Sequence, residues 1–299
     1  MTETNWYKGN LHAHTSESDG DESPENVVQW YAHHEYDFLV LSDHNCLTLL
    51  GDNANKPLLI PGEELTVQLE NQDKAVYVNS IGLSKPVKPI NATLILPTIQ
   101  ANVDAILEAG GIPVLSAPYY RPDFDPRTLK EIEGAKFMDI YNSHPLIVEG
   151  DPRTFSFEDI WDEILSSGKI MFGTATDDAH NYIEFGPDKA NPGGAWIMVH
   201  ATSLSEKAIM EGLKSGDFYA STGISLKDAQ LSPNSLYVKI QETIGQSYKT
   251  VFIGHNGTVL AEEEGLEAIY RLRGNESYVR ARITSSDGSR AWTQPILTG

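Results

Sequence analysis

The chain has 299 residues, 40% hydrophobic and 21% charged, the composition of an ordinary globular protein and long enough for one large barrel or a medium domain plus a small one. With 22 Lys and Arg against 42 Asp and Glu, its formal net charge is −20, which argues against a binder of nucleic-acid polymers or anionic membranes. The single cysteine, Cys46, rules out an intrachain disulfide, and no stretch approaches the roughly 20 apolar residues of a membrane span.

The N-terminus, MTETNWYKGNLHAH, has no basic segment followed by an apolar run, so a cytoplasmic protein is expected. Its acidity leaves a small anionic substrate open, because bound cations reverse the field inside a pocket.

From the start to about residue 222, strand and helix patterns alternate. Residues 7–14 read as a strand. Ser23-Pro24-Glu25 then reads as a helix start, with an N-cap serine, proline at the first helical position and an acid in the first turn. Residues 37–42 (DFLVLS) form an apolar run suited to a strand buried on both faces. Strands follow over 57–66 and 75–83, then a helical stripe through Ile99, Val103, Ile106 and Leu107. Further strands are read over 112–117, 137–142, 169–174 and 195–199, with helices over 157–167 and 205–213. This alternation predicts parallel strands joined by crossover helices.

Beyond residue 222 the pattern becomes strand after strand, with hairpin signals at Asn256-Gly257 and Asp287-Gly288. The expectation is a first domain over 1–222 and a small antiparallel β-sandwich over 223–299, packed firmly on it because no low-complexity linker separates them.

Four clusters carry chemistry. In GNLHAHTSESDG, His12 and His14 lie two apart on a strand and so share a face, with Asp19 in the loop that follows. In LVLSDHN, His44 is the candidate ligand, and Asp43 is its hydrogen-bonded support or a proton-transfer group. In PGEELT, Glu64 suits a carboxylate bridging two cations, while Glu63 faces elsewhere. In TATDDAHNY, Asp178 and His180 repeat the two-residue spacing. Each cluster falls at the C-terminal end of an expected strand, where a barrel gathers its chemistry. Arg121, after Tyr119 and Tyr120, is a candidate clamp for an anionic group. His33, His34, His200 and His255 are read as structural, and Cys46 as a buried inert thiol.

His12-x-His14 with Ser18-Asp19-Gly20, then Ser42-Asp43-His44, Gly62-x-Glu64 and Asp178-x-His180 resemble the ordered motifs of the PHP (polymerase and histidinol phosphatase) family. The likeness spans about residues 6–222. With the C-terminal β-region ending in RAWTQPI, it is similar to the carbaryl-hydrolase-like branch. The resemblance implies a distorted TIM-like (β/α)7 barrel, two or three divalent metals (Zn, Mn or Fe), and phosphoester hydrolysis as the commonest activity. It implies one metal on His12, His14, Glu64 and Asp178, and another on Asp19, His44 and His180. Many family members have a metal-binding His-Pro where Ala117-Pro118 stands here. His144, in YNSHPL, is the candidate to compensate, as ligand or as substrate contact.

The leading expectation is a metal-dependent phosphoesterase acting through activated water. The alternatives are a carbamate, ester or amide hydrolase on the same metals, and a non-catalytic metal- or carbohydrate-binding protein. Cationic side chains besides Arg121 near the site favour the first. An aromatic pocket of Tyr119, Tyr120 and Trp196 favours the second.

Overall fold

Ser23 begins the first helix as expected: its hydroxyl accepts from the Asn26 N–H, Pro24 follows, and Val27, Val28 and Tyr31 turn inward along α1 (Pro24–His33). The computed structural model describes residues 4–51, 57–69, 75–116, 125–146 and 156–298. Three more helices are α2 (Ile95–Glu108), α3 (Phe157–Ser166) and α4 (Glu206–Ser215). The last is capped by the Ser205 hydroxyl and stopped by Gly216, whose φ of 78° suits glycine. None of the helices among the described residues is long and apolar enough to cross a membrane.

The first ten strands are β1 (Asn5–Asn10), β2 (Phe38–Leu39), β3 (Leu58–Leu59), β4 (Glu64–Gln68), β5 (Ala75–Ile81), β6 (Ile112–Leu115), β7 (Phe137–Asn142), β8 (Phe172–Thr176), β9 (Trp196–Ala201) and β10 (Phe218–Ser221). The remaining eight are β11 (Leu226–Ser232), β12 (Ser235–Ile240), β13 (Tyr248–Gly254), β14 (Thr258–Glu264), β15 (Glu267–Arg271), β16 (Tyr278–Ser285), β17 (Arg290–Thr293) and β18 (Ile296–Leu297). They form three sheets. One runs β4-β5-β6-β7-β8, and a second β11-β12-β15. The largest runs β14-β13-β16-β17-β10-β9-β1-β2-β3, with β18 on β16.

The fold is thus mixed α/β, but its pairing departs from the expected run of parallel strands. Among the described strands, only β1-β2-β3 and β6-β7-β8 are parallel; β5 runs antiparallel to both neighbours, and so do β9 and β10. For β4 and β5 the reason lies in the connection. A parallel return needs a crossover of a dozen or more residues, and the link from β4 to β5 is too short for one. The expected strand over 57–66 is divided at Pro61, which has no N–H for a ladder; its carbonyl instead accepts from Gly82 and Leu83. Single parallel bridges, Ala13 with Ala179 and His44 with Glu64, link the two larger sheets.

The expected hairpin turns are present. Asn256 (φ 52°) and Gly257 (φ 71°) take left-handed backbone between β13 and β14, and Gly288 (φ 91°) does so between β16 and β17.

The C-terminal strands extend the first part's own sheet, since β17 pairs with β10 from Tyr219–Thr293 to Ser221–Ala291. Trp6, Met198 and Tyr219 pack into a core with Leu236, Val238, Phe252 and Ile283, so this stretch of sheet is covered by the β11-β12-β15 side. Trp292 and Tyr278 join the core of the first part. Buried Arg280 on β16 reaches α3: its guanidinium pairs with both Asp162 oxygens at 2.7 Å, and its Nη1 lies 2.9 Å from Glu158. The Tyr278 hydroxyl donates to the same Asp162 (2.7 Å).

Candidate metal centre

His12 and His14 lie just beyond β1, and their backbone locks onto the segment after β8. The His14 N–H donates to Ala179 O, and the Asp178 N–H to His12 O. This crossing leaves the ladder of β1 at Asn10 but keeps the alternation, so both imidazoles are buried on one side with their Nε2 atoms 3.0 Å apart. Asn10 braces the junction: its amide donates to His12 O and to the Tyr31 hydroxyl and accepts from the Asp177 N–H.

Two carboxylate oxygens meet these rings. Glu64 Oε2 lies 3.4 Å from His12 Nε2, 3.5 Å from His14 Nε2 and 3.0 Å from His44 Nδ1. Asp178 Oδ1 lies 3.1 and 3.3 Å from the same two Nε2 atoms. Asp178 holds left-handed backbone (φ 51°), and so does Asn45 (φ 53°) directly after His44. The Asn45 amide then exchanges hydrogen bonds with the backbone of Thr66, seating His44 against β4.

A second group forms beside the first. Asp19 lies 3.5 Å from His44 Nε2 and 3.3 Å from His180 Nε2, and His180 stacks on His14 at 4.1 Å. The turn that brings Asp19 back needs Gly20, where a Cβ would stand 2.6 Å from His14 O. Ligand atoms of His14, Asp19, His44 and His180 lie within 4.8 Å of one another, as do those of His12, His14 and Glu64. His14 thus reaches both groups.

Electrostatics follow this geometry. Burial alone pushes the His12 imidazole down, but Asp178 and Glu64 carry it up to about 9. His44 rises against burial to about 10 through Asp19 and Glu64. Burial pushes His14 down. Burial would raise Glu64, yet His12 and the other rings hold it near about 2; Asp178 lies well below its ordinary range for the same reason. The donor set suits divalent cations: four imidazoles and three carboxylates from separate segments, with nitrogen and carboxylate oxygen facing common points. Among the described residues, the ion-pair partners of Asp19, Glu64 and Asp178 are all histidines.

The other candidates are placed differently. The Asp43 carboxylate is buried and accepts from Thr15 N, Thr15 Oγ1, Ser18 Oγ and Thr48 Oγ1, so it orders the loop that carries Asp19. Its partners are thus Thr15, Ser18 and Thr48, whereas His44 Nδ1 meets Thr66 Oγ1 and Glu64. His144 stands beside His180, with ring centres 5.5 Å apart, outside both ligand groups. Arg121, Ala117, Tyr119 and Tyr120 lie outside the described residues. Trp196 packs against Lys8 and Tyr36. Glu63 faces away, accepting from the Val87 N–H, and Cys46 is half-buried rather than buried.

Three supporting residues escaped the sequence reading. Asn79 on β5 lies 2.8 Å from His12 Nδ1. Asn142, at the end of β7, donates to Asp178 Oδ2. Asp139 is buried below His12, and burial raises it to about 6. A lone acid inside the apolar strand FMDIYN was the available signal for Asp139.

No protein-family model matches the chain, and no curated protein matches it in sequence. Among solved structures, the chain is similar to a two-domain protein from Bacteroides vulgatus containing a predicted PHP-like metal-dependent phosphoesterase. Identity is 14%, the match covers 98% of this chain and 96% of that one, and the TM-score is 0.53. A looser superposition, with a TM-score of 0.41, relates it to an amidohydrolase from Chromobacterium violaceum with bound sulfate and no metal. There identity is 14%, over 61% of this chain and 93% of that one. The first likeness extends through both parts of the chain, so the two proteins share a fold.

Proposed function

We propose that the chain is a PHP-like metal-dependent hydrolase that cleaves a phosphate ester of a small anionic substrate. The observation that carries this reading is Glu64 Oε2, one oxygen within 3.5 Å of three imidazoles drawn from two segments. Bound divalent cations would supply the positive charge that turns water into a nucleophile near neutral pH. The chain's own part is to hold His12, His14, Glu64 and Asp178 on one side and Asp19, His44 and His180 on the other. Zn, Mn and Fe all suit this mixed set. Asp43 keeps the Asp19 loop in register, and Arg121 would bind a phosphoryl oxygen.

The same centre supports a second reading, a carbamate, ester or amide hydrolase. The observation favouring it is that, among the described residues, the ion-pair partners of the three acidic ligands are all histidines. Parallel assays decide between them. Metal-stripped protein, reloaded with Mn, Zn or Fe, is given phosphomonoesters, phosphodiesters, carboxyl esters and carbamates. Phosphoester turnover that returns with metal is expected. Undiminished turnover by stripped protein would overturn the whole reading, and turnover of carbamates or esters alone would select the second.

A further inference from the structure

We propose that a buried polar row across the five-stranded sheet positions the His12 imidazole for its group of converging ligand atoms, with Asn79 as the residue that touches the ring. The role rests on the reading of that group as a cation site. Strand register builds the row. Asn79 on β5 lies opposite Glu64 on β4 and beside Val114 on β6. Ser116 stands two residues beyond Val114 and so shares its face. Farther along, Asp139 on β7 lies beside Thr174 on β8. Hydrogen bonds join all four. The Asn79 amide donates to Ser116 Oγ at 2.9 Å, Ser116 bonds the Asp139 carboxyl, and the Thr174 hydroxyl donates to Asp139 Oδ1 at 2.7 Å. The row ends on His12, where Asn79 Nδ2 lies 2.8 Å from Nδ1.

All four side chains are buried, and their strands are otherwise rich in buried apolar residues such as Val78, Val114, Met138 and Ile140. Apolar side chains at these positions would avoid the cost of burying an amide, two hydroxyls and a carboxyl. The row supplies instead a fixed contact on the ring edge that faces away from the ligand atoms. On the opposite edge, His12 Nε2 lies 3.1 Å from Asp178 Oδ1 and 3.4 Å from Glu64 Oε2. The Asp178 N–H and the Asn10 amide hold the His12 carbonyl, but they do not reach the ring. The ring torsion of a histidine has a broad minimum, so the contact at Nδ1 is what sets it. A connected, buried network is stiff enough to do so. In the second group, His44 Nδ1 meets the lone hydroxyl of Thr66 at 2.7 Å and Glu64 itself. The row therefore acts on the position served by His12, not on the one served by Asp19, His44 and His180.

The test measures Zn2+ affinity by chelator competition for wild type, Asn79→Ala and Ser116→Ala, all stripped and reloaded. The absorption spectra of the Co2+-loaded proteins are recorded beside it. Asn79→Ala is expected to bind one of two Zn2+ equivalents about 10- to 100-fold more weakly and the other as wild type does. Its Co2+ spectrum should change, because the bands follow ligand geometry. Ser116→Ala cuts the row one side chain away from the ring, and it should weaken the same equivalent by a smaller factor. Unchanged Zn2+ affinity in Asn79→Ala would overturn the role. Equal weakening of both equivalents would also overturn it, since that marks a general loosening of the fold. If Asn79→Ala does not fold, Ser116→Ala decides by the same two criteria. Wild type that binds no cation would overturn the cation reading and this role together. Neither readout uses a substrate, so a lack of phosphoester turnover would count against the proposed activity alone.

Discussion

Gln294 and Gly173 exchange two hydrogen bonds across 121 residues: the glycine N–H donates to Gln294 Oε1 at 2.8 Å, and the Gln294 amide donates to the glycine carbonyl at 2.9 Å. β8 is the last strand of its sheet, and this side chain takes the place of a further strand along its open edge. The same strand leads directly into Asp177, Asp178 and His180, so a residue near the C-terminus steadies the backbone that presents two of the site's side chains. Gln294→Ala would leave a buried N–H and a buried carbonyl without partners. The expected loss is ~2–4 kcal/mol of unfolding free energy in urea titration. Gln294→Glu should be nearly as damaging, because the carbonyl then faces a carboxylate.

Arg280 presents the contrasting case of a charge at the seam between α3 and β16. It is 1% exposed, lies over the Trp161 ring and is neutralised by Asp162 and Glu158. Arg280→Met removes one partner and strands two buried carboxylates, for an expected cost of ~3–5 kcal/mol. Arg280→Lys should rescue little, since an ammonium cannot match both Asp162 oxygens. The triple change Arg280→Met, Asp162→Leu, Glu158→Leu should be far less destabilising than Arg280→Met alone. Thermal melts of the three proteins measure the order.

His12→Ala and Asp178→Asn are expected to abolish metal-dependent turnover without unfolding the chain. Both side chains face the ligand cluster, while the backbone bonds joining their segments remain. Wild-type protein purified without added metal should retain two equivalents by elemental analysis, one for each group of converging atoms. A third fully occupied position would contradict this.

Metal uptake should release protons. In the metal-free protein His12 and His44 are raised to about 9 and about 10, so both carry a proton at pH 7. An imidazole must lose that proton to bind a cation. Loading at pH 7 should therefore release at least about two protons, with His180, also raised by Asp19 and Asp178, adding to them, and the number should decrease as pH rises through 9 and 10. Calorimetry in buffers of different ionisation enthalpy reads the number. Stability has the same sign. Raised histidines stabilise the metal-free fold fully below their unfolded value of about 6.5, and that contribution is lost as pH climbs through 9 to 10. The melting temperature of stripped protein should fall there more steeply than that of loaded protein.

The ligand clusters were legible because each is a local pattern: two residues apart, at the end of an apolar run, followed by small or polar residues. His12 and His14 needed only strand alternation, whereas Asp178 and His180 lie beyond β8, where Asp178 takes left-handed backbone (φ 51°). Long-range pairing was not legible. A strand–helix alternation does not state whether the next strand returns parallel, and β9-α4-β10 returns antiparallel despite its helix. Neutral amides were also silent. Asn79, Asn142 and Gln294 act through partners tens of residues away, and nothing in their own neighbourhood marks them. Arg280 was hidden likewise, because VRARI reads as an exposed alternation until α3 covers it.

Asp178 shows why improving this protein's robustness and preserving its chemistry pull in different directions. Its backbone occupies the left-handed region, which side chains other than Asn, Asp and Gly rarely adopt. Glycine would relieve that conformation at no steric cost, but it would also remove the carboxylate whose attraction helps carry His12 up to about 9. Easing the backbone at this position therefore gives up an ion pair and a metal-facing oxygen together. Any campaign for heat tolerance on this scaffold needs a metal-retention screen running beside the thermal one.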